Sequence, residues 1–355
     1  MASPDSGPVL PAWAGETGWE SEVVLSTRAR LARNLAAYPF PAQAGDEHLQ
    51  AVADTVLKAA RHREKGQAPL REVEVSRLNP NEKGALVDSH LISVQHATAG
   101  LHRWALVDDR HTVSVMVNEE DHLRLQAILP GMQLEQAWHV ADRLDDFLAG
   151  RLAYARHARS GFLTASLGNC GTGLRLSVMA HLPGLSLLGK SDEAFAAAST
   201  LGASVRGPFG EDGEAVGDVY QISNAVSLGK SERQIVALLS ATLTLLVTDE
   251  QVARERLWKE KRSIIRGKVS EAGAALHAAQ RLSAKEALEI LSLLRLGAAL
   301  GTATGVTPRV FNELLATLRV GVQFVSGRNA QSTFFEDTRR PALIRNKMRE
   351  SRGGR

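Results

Sequence analysis

The segment Asn118-Glu119-Glu120-Asp121-His122-Leu123-Arg124 follows directly on an alternating run at residues 112–117. Two adjacent carboxylates, a histidine and an arginine, delivered at a strand end, are poor material for a core. They suit a site that holds a cation and an anion at once. Further arginines stand in apolar or glycine-rich settings. Ser26-Thr27-Arg28-Ala29-Arg30 follows Val23-Val24-Leu25, and a continuing strand puts Arg28 and Arg30 on one face at period two. Arg175 closes Asn169-Cys170-Gly171-Thr172-Gly173-Leu174-Arg175, where glycines let backbone approach a ligand. Arg206-Gly207 opens a loop through Glu211 that adds another arginine and another carboxylate. Taken singly, each arginine reads as a surface ion pair. Together they suggest a polyphosphate site, because the planar guanidinium fork matches phosphate oxygens and stays charged at any relevant pH.

The chain has no Gly-x-x-x-x-Gly-Lys-Ser/Thr loop and no His-Arg-Asp or Asp-Phe-Gly signature. A nucleotide enzyme with this inventory must replace the usual glycine-rich phosphate cradle with arginine side chains.

The elements that must carry these residues follow from periodicity. Val113, Val115 and Val117 alternate with Thr112, Ser114 and Met116, as a half-buried strand requires. Trp138, Ala141, Leu144, Leu148, Leu152 and Ala155 recur at helical spacing. Leu174 to Ala180 alternates again and ends before Pro183-Gly184. Residues 250–268 read as one charged helix. Ser283-Ala284-Lys285-Glu286 is a capping box that opens an apolar helix over 287–300, and Thr307-Pro308 starts another through Leu318. The expected division is a flexible leader at 1–20, in which only Trp13 and Trp19 pack, an α+β domain at 21–246 and a helical domain at 247–355.

At 355 residues and 44% hydrophobic, the chain has ample material for two domains. A net charge of +3 does not imply nucleic-acid binding. The single cysteine, Cys170, rules out an intramolecular disulfide and a cysteine-based metal site, and reads as a core residue. No signal-peptide core is present, and the apolar stretch at 238–247 is too short and too rich in Ser and Thr to span a bilayer. The expectation is a cytoplasmic protein without a membrane element.

Ser-Thr-Arg-x-Arg at 26–30, Val117 through Arg124, Asn169 through Arg175 and Tyr220-Gln221-Ile222-Ser223-Asn224 resemble the phosphagen (ATP:guanido) kinase superfamily in order and spacing, over roughly residues 21–232. Within it the chain is most similar to the bacterial protein-arginine kinases, the McsB family. Only 25 residues precede Ser26, where small-guanidino kinases carry a helical domain, and a helical segment follows the catalytic region. The strings at 24–34, His90-Leu91-Ile92-Ser93 and Ala342-Leu343-Ile344-Arg345 also match. The resemblance implies a central, mostly antiparallel sheet flanked by helices, then an all-helical C-terminal domain for dimerisation and substrate or phosphoarginine docking. It implies ATP and Mg²⁺, the metal held through the ATP phosphates. Arg28, Arg30, Arg124, Arg175 and Arg206 are the implied phosphate ligands, and His90 packs by the adenine. The surrounding segments Ser26, Thr27 and Ala29, then Leu176, Ser177, Val178 and Met179, then Gly207, Pro208, Phe209, Gly210 and Glu211, complete the nucleotide site. Glu120 is the implied base and Glu211 its orienting partner. Implied partners are protein substrates through their arginines, an McsA-type zinc-binding activator, a transcriptional repressor, the Clp protease machinery and a second copy of the chain.

Two positions depart from the family. Ser166 stands where the family has a substrate-adjacent cysteine, so a thiolate contribution is missing. Glu336, Asp337, Arg340 and Pro341 occupy a phosphoarginine motif in which the first arginine has become a carboxylate and the alanine a proline. Beside protein-arginine phosphorylation, two alternatives remain open at this point: a kinase of free arginine or another small guanidino compound, and a weakly active adaptor that binds phosphoarginine.

Overall fold

The computed structural model describes residues 10–62, 69–98, 100–207, 215–318 and 330–353. Its strands are β1 (Val24–Arg33), β2 (Arg71–Glu74), β3 (Trp104–Val107), β4 (Val113–Val117), β5 (Leu123–Pro130), β6 (Arg156–His157), β7 (Gly161–Phe162), β8 (Leu174–His181), β9 (Ala203–Arg206) and β10 (Val219–Asn224). Its helices are α1 (Ala12–Gly15), α2 (Asp46–Arg61), α3 (Pro80–Asp88), α4 (Val94–Thr98), α5 (Leu134–Ala149), α6 (Pro183–Leu188), α7 (Ser191–Thr200), α8 (Glu232–Glu260), α9 (Arg262–Ala278), α10 (Ala284–Ala299), α11 (Pro308–Thr317) and α12 (Ala330–Gly353). Eight strands form one sheet in the order β2-β3-β4-β5-β1-β8-β10-β9, and every pairing in it is antiparallel. The expected α+β architecture is present.

The central strand β1 sets the two faces. Ala29 and Leu31 point into the main core with Leu125, Ala127, Leu174, Leu176 and Val178, covered by α2, α5 and α8. Arg28 and Arg30 point the other way. At one end of that second face, Ile128 and Met179 pack with Trp13 and the helices of the C-terminal layer. Among the described residues the other end is left open.

Several boundaries differ from the expectation. β4 is buried on both faces, because Met116 packs with Leu91 and Ile92 and the Ser114 hydroxyl donates to the Leu91 carbonyl. Helix α5 stops at Ala149, before Leu152 and Ala155; the Ala155 amide turns away to donate to Asn34. The charged helix is two helices. Lys261 ends α8 and begins α9, and the turn brings Ile265, Val269, Ala272 and Leu276 into the cluster with Leu291 and Leu294 of α10. The division at 246/247 falls inside α8, which runs unbroken from the sheet into the helical layer. Of the two leader tryptophans Trp13 is fully buried, whereas Trp19 is 63% exposed. The α10 capping box forms as expected, with Ser283 and Glu286 each accepting the other's backbone amide.

Among the described residues, α8 is the one helix long and apolar enough to cross a membrane. Here it is a core helix: Ile235, Leu239, Leu243, Leu246 and Val247 are buried against the sheet. Its buried Glu250 pairs with Arg254 at 2.6 Å and accepts from the amides of Gly184 and Leu185.

Candidate active site

Register alone gathers the arginines. Arg30 pairs across β1 with Arg175 of β8, and Ala32, two residues on, pairs with Arg124 of β5. Gln221 of β10 pairs with Arg206 of β9 and with Met179 of β8, which in turn lies opposite Ser26. Directly opposed residues share a face and parity carries along each strand. Arg28, Arg30, Arg124, Arg175 and Arg206 therefore project from one side of the sheet. Arg30, Arg124, Arg175 and Arg206 line a cleft of about 190 Å³ with Ala32, Glu120, Ser166, Gly168, Asn169 and Gly173. Arg28 lies deeper, its Nη2 donating to Gln221 at 2.9 Å.

This face carries far more positive charge than its neighbours neutralise. Burial, then Arg175, Arg206 and Arg124, pull the Arg28 guanidinium down to about 10. Burial with Arg28, Arg124 and Arg175 drives Arg30 well below its ordinary value. Arg175 is lowered by burial and by Arg206 and Arg124. The buried Nε atoms of Arg30 and Arg175 have no hydrogen-bond partner among the described residues. Unpaired buried guanidinium donors facing a cleft are what a polyphosphate would satisfy. The inventory fits the triphosphate of a nucleotide.

The carboxylate turn is built just as specifically. Asn118 takes a left-handed φ of 60°, and its side-chain amide donates to the Leu49 and His102 carbonyls. Glu119 is buried, accepts from the Ser93 hydroxyl and pairs with Arg124 Nη1 at 2.6 Å. Glu120 is 36% exposed at its side chain and pairs with Arg124 Nη2 at 2.7 Å. Asp121 is buried, and burial raises its carboxyl. It accepts from Asn34 at 2.6 Å and from the Ala165 amide at 2.7 Å. His122 accepts from the Leu35 amide at Nδ1 and lies 3.0 Å from the Pro39 carbonyl at Nε2, which sets a neutral Nε2–H ring. Of the three carboxylates, Glu120 alone is open to the cleft.

The loop facing Glu120 is fixed by a buried ion pair. Arg33 binds Asp145 at 2.6 Å, stacks on Phe162 at 3.5 Å and donates to the Thr172 carbonyl. Gly173 (φ 70°) admits this contact, since a Cβ there would come 2.4 Å from the Arg33 guanidinium. Ser166 and Asn169 then reach the cleft while Cys170 is buried beside the Thr164 hydroxyl.

Other expected residues fall elsewhere. Leu176 and Val178 belong to the main core on the opposite face, as does Ala29. Thr27 is buried on that side too, its hydroxyl donating to the Gly131 carbonyl. Their side chains cannot meet a ligand on the arginine face, because strand parity turns every second residue away. Ser177 shares the arginine face, whereas Met179 is buried in the helical-layer cluster. Ser26 is buried opposite it and Gly207 follows the end of β9. His90 holds a positive φ of 59°. Its ring meets Trp13 edge-on at 5.1 Å, and burial with Arg28 pulls it down to about 3. Pro208, Phe209, Gly210 and Glu211 lie outside the described residues.

In the helical layer, Arg340 is buried and already engaged: it donates to the Leu318 and Leu282 carbonyls and pairs with Asp337. Pro341 lies within α12. The residues whose roles the sequence reading missed are Ser93, Asn34 and Arg33. Ser93 sits beside His90 in a quoted string, but its partner Glu119 is 26 residues away. No local signal announces that contact.

An arginine-lined sheet face with a carboxylate at its edge has the chemistry to hold a polyphosphate beside a cationic group. Residues 51–253 match the family model described as ATP:guanido phosphotransferase, C-terminal catalytic domain. Residues 262–354 match that described as Protein-arginine kinase McsB C-terminal domain. The protein-arginine kinase of Halothermothrix orenii is 40% identical over 96% of this chain and 97% of its own. That of Geobacillus stearothermophilus is 39% identical over 96% and 94%. Among solved structures, a lombricine kinase superposes with a TM-score of 0.58 at 25% identity, covering 70% of this chain and 73% of that one. The duplicated taurocyamine kinase from Schistosoma mansoni shares the fold, with a TM-score of 0.59 at 23% identity over 72% of this chain and 37% of that one. The chain belongs to the protein-arginine kinase family of ATP:guanido phosphotransferases.

Proposed function

We propose that the protein transfers the γ-phosphoryl group of ATP to the guanidinium of arginine side chains in proteins. The observation that carries the reading is the convergence of four arginines and Glu120 on one small cleft. Phosphoryl transfer passes through a charge-dispersed transition state, so positioning and electrostatic stabilisation dominate. Arg28, Arg30, Arg124, Arg175 and Arg206 hold the phosphate oxygens and spread the moving charge. A guanidinium is a poor nucleophile because its pKa exceeds about 12. Glu120 aligns it and takes its proton as the N–P bond forms and the γ-phosphorus parts from the bridging oxygen, which leaves with ADP; Glu211 is assigned as the second carboxylate of that clamp. His90 borders the base. By the family resemblance Mg²⁺ would arrive on the nucleotide, where it neutralises phosphate charge.

Ser166 leaves the cleft without a thiol, and activity rests on the arginines and Glu120. Glu336 places a carboxylate where the family's phosphoarginine motif has an arginine, so we assign this chain a weakened response to phosphoarginine. Marking of proteins for regulation or Clp-dependent degradation, an McsA-type activator, a repressor substrate, a homodimer and a cytoplasmic location complete the proposal by family resemblance. Incubation with MgATP and a test protein, followed by mass spectrometry for acid-labile phosphoarginine, tests it. Rapid turnover of free arginine with none on protein would shift the assignment to a small-guanidino kinase.

A further inference from the structure

Three large apolar side chains stand in solvent on the loop that lines the cleft and on a second loop packed beside it. Leu167 is 85% exposed, Leu228 51% and Val226 45%. Leu167 lies between Ser166 and Gly168, both of which line the cleft. Leu228 flanks the same loop, since a Cβ built on Gly171 would come 3.1 Å from the Leu228 Cα. The loop also adjoins the carboxylate turn, because Asp121, next in sequence to Glu120, accepts from the Ala165 amide.

Neither loop is loosely held. Gly171 exchanges backbone hydrogen bonds with Phe162, the Cys170 amide donates to the Leu167 carbonyl, and Arg33 grips Thr172. On the other side, the Ser227 hydroxyl donates to the Leu174 carbonyl at 2.6 Å, and the Asn224 amide donates to Leu174 and Val226. These leucines are presented by fixed backbone. The cleft beside Leu167 is polar, lined by arginines and Glu120.

We infer that this apolar rim is the docking surface for the protein substrate: an extended segment whose acceptor arginine enters toward Glu120 while its apolar neighbours rest on Leu167, Leu228 and Val226. The inference rests on the arginine-kinase reading and adds the sequence class of the acceptor. Glu120 complements the guanidinium, and the rim complements its flanks. Free arginine has no flanks and gains nothing from it.

Two peptides of equal length and charge test this, one with arginine flanked by Leu and Val, the other by Ser and Gly. The wild type phosphorylates the apolar-flanked peptide with a kcat/KM about tenfold higher, the expected yield of partly burying two side chains. The double variant Leu167→Ser/Leu228→Ser loses that preference by slowing on the apolar peptide alone, with KM for ATP unchanged. A Lys-for-Arg version of the apolar peptide inhibits the wild type more strongly than its polar twin, a readout that needs no variant. Equal wild-type rates on the two peptides, or an equal loss on both in the double variant, overturns the docking surface. Absence of phosphoarginine on either peptide overturns the kinase reading and the rim with it.

Discussion

The Arg124 guanidinium lies 2.7 Å from the Glu120 carboxylate, so an arginine assigned to phosphate and the carboxylate assigned to the acceptor satisfy one another. Both need new partners during the reaction. Phosphate oxygens compete for Arg124, and once they hold it Glu120 is released to a second guanidinium.

This pairing predicts cooperation between the two substrates. An arginine-bearing peptide binds about tenfold tighter in the presence of a non-hydrolysable ATP analogue than in its absence, a coupling of typical allosteric size. In Arg124→Met that dependence disappears. Titration calorimetry with and without nucleotide measures it; equal affinity in both conditions for the wild type contradicts the pairing.

Glu119 and Glu120 are adjacent in sequence and opposite in expected consequence. Glu119 is buried against Ser93 and Arg124, and its replacement leaves a buried guanidinium short of a partner. Glu119→Ala should cost roughly 3–5 kcal/mol of stability, as breaking a buried pair does. Glu120→Gln sits at the cleft surface and should leave the melting temperature almost unchanged. Thermal denaturation of the two variants separates a structural carboxylate from a working one.

Arg30 predicts a trade of stability for function. Its charge is buried among Arg28, Arg124 and Arg175, without an ion pair among the described residues. Arg30→Met relieves that repulsion. The ligand-free protein should melt several degrees higher, by the measure that about 1 kcal/mol shifts a domain of this size by a few degrees. ATP should then no longer raise the melting temperature. A lower melting temperature for the variant would mean that Arg30 is compensated in the fold.

The turn at His122 sets an acid limit. Burial holds this ring down to about 4, against an ordinary value near 6.5. The folded ring is therefore neutral, and below pH 6.5 the unfolded chain binds a proton that the folded one refuses. The stability it contributes is fully present above 6.5 and is lost as pH falls through 4. Stability measured from pH 7.5 to 4 should decline over that window for the wild type and decline less steeply for His122→Ala.

Much of this was legible from spacing. Period two placed Arg28 with Arg30 and set them against Ala29, and the Ser283 capping box marked the start of α10. The same period turns the Leu176 and Val178 side chains into the main core and away from the arginine face. The meeting of Arg30 with Arg175 depends on strand register across 145 residues of chain, which no local pattern encodes. Nor could spacing choose Trp13 over Trp19, since the choice is made by the helical layer: Asn312 donates to the Trp13 carbonyl from 299 residues away. Lys261 ended a helix without glycine or proline, so the break at 260–262 had no residue to announce it.

The central claim is that Glu120, beside the arginine face, drives phosphoryl transfer from ATP to arginine. Wild type and Glu120→Gln, incubated side by side with MgATP and an unfolded protein, give the most direct test by mass spectrometry of acid-labile phosphoarginine. Phosphoarginine should accumulate with the wild type and fall at least a hundredfold in the variant, the usual contribution of a positioned base. Undiminished phosphoarginine with Glu120→Gln would contradict the account.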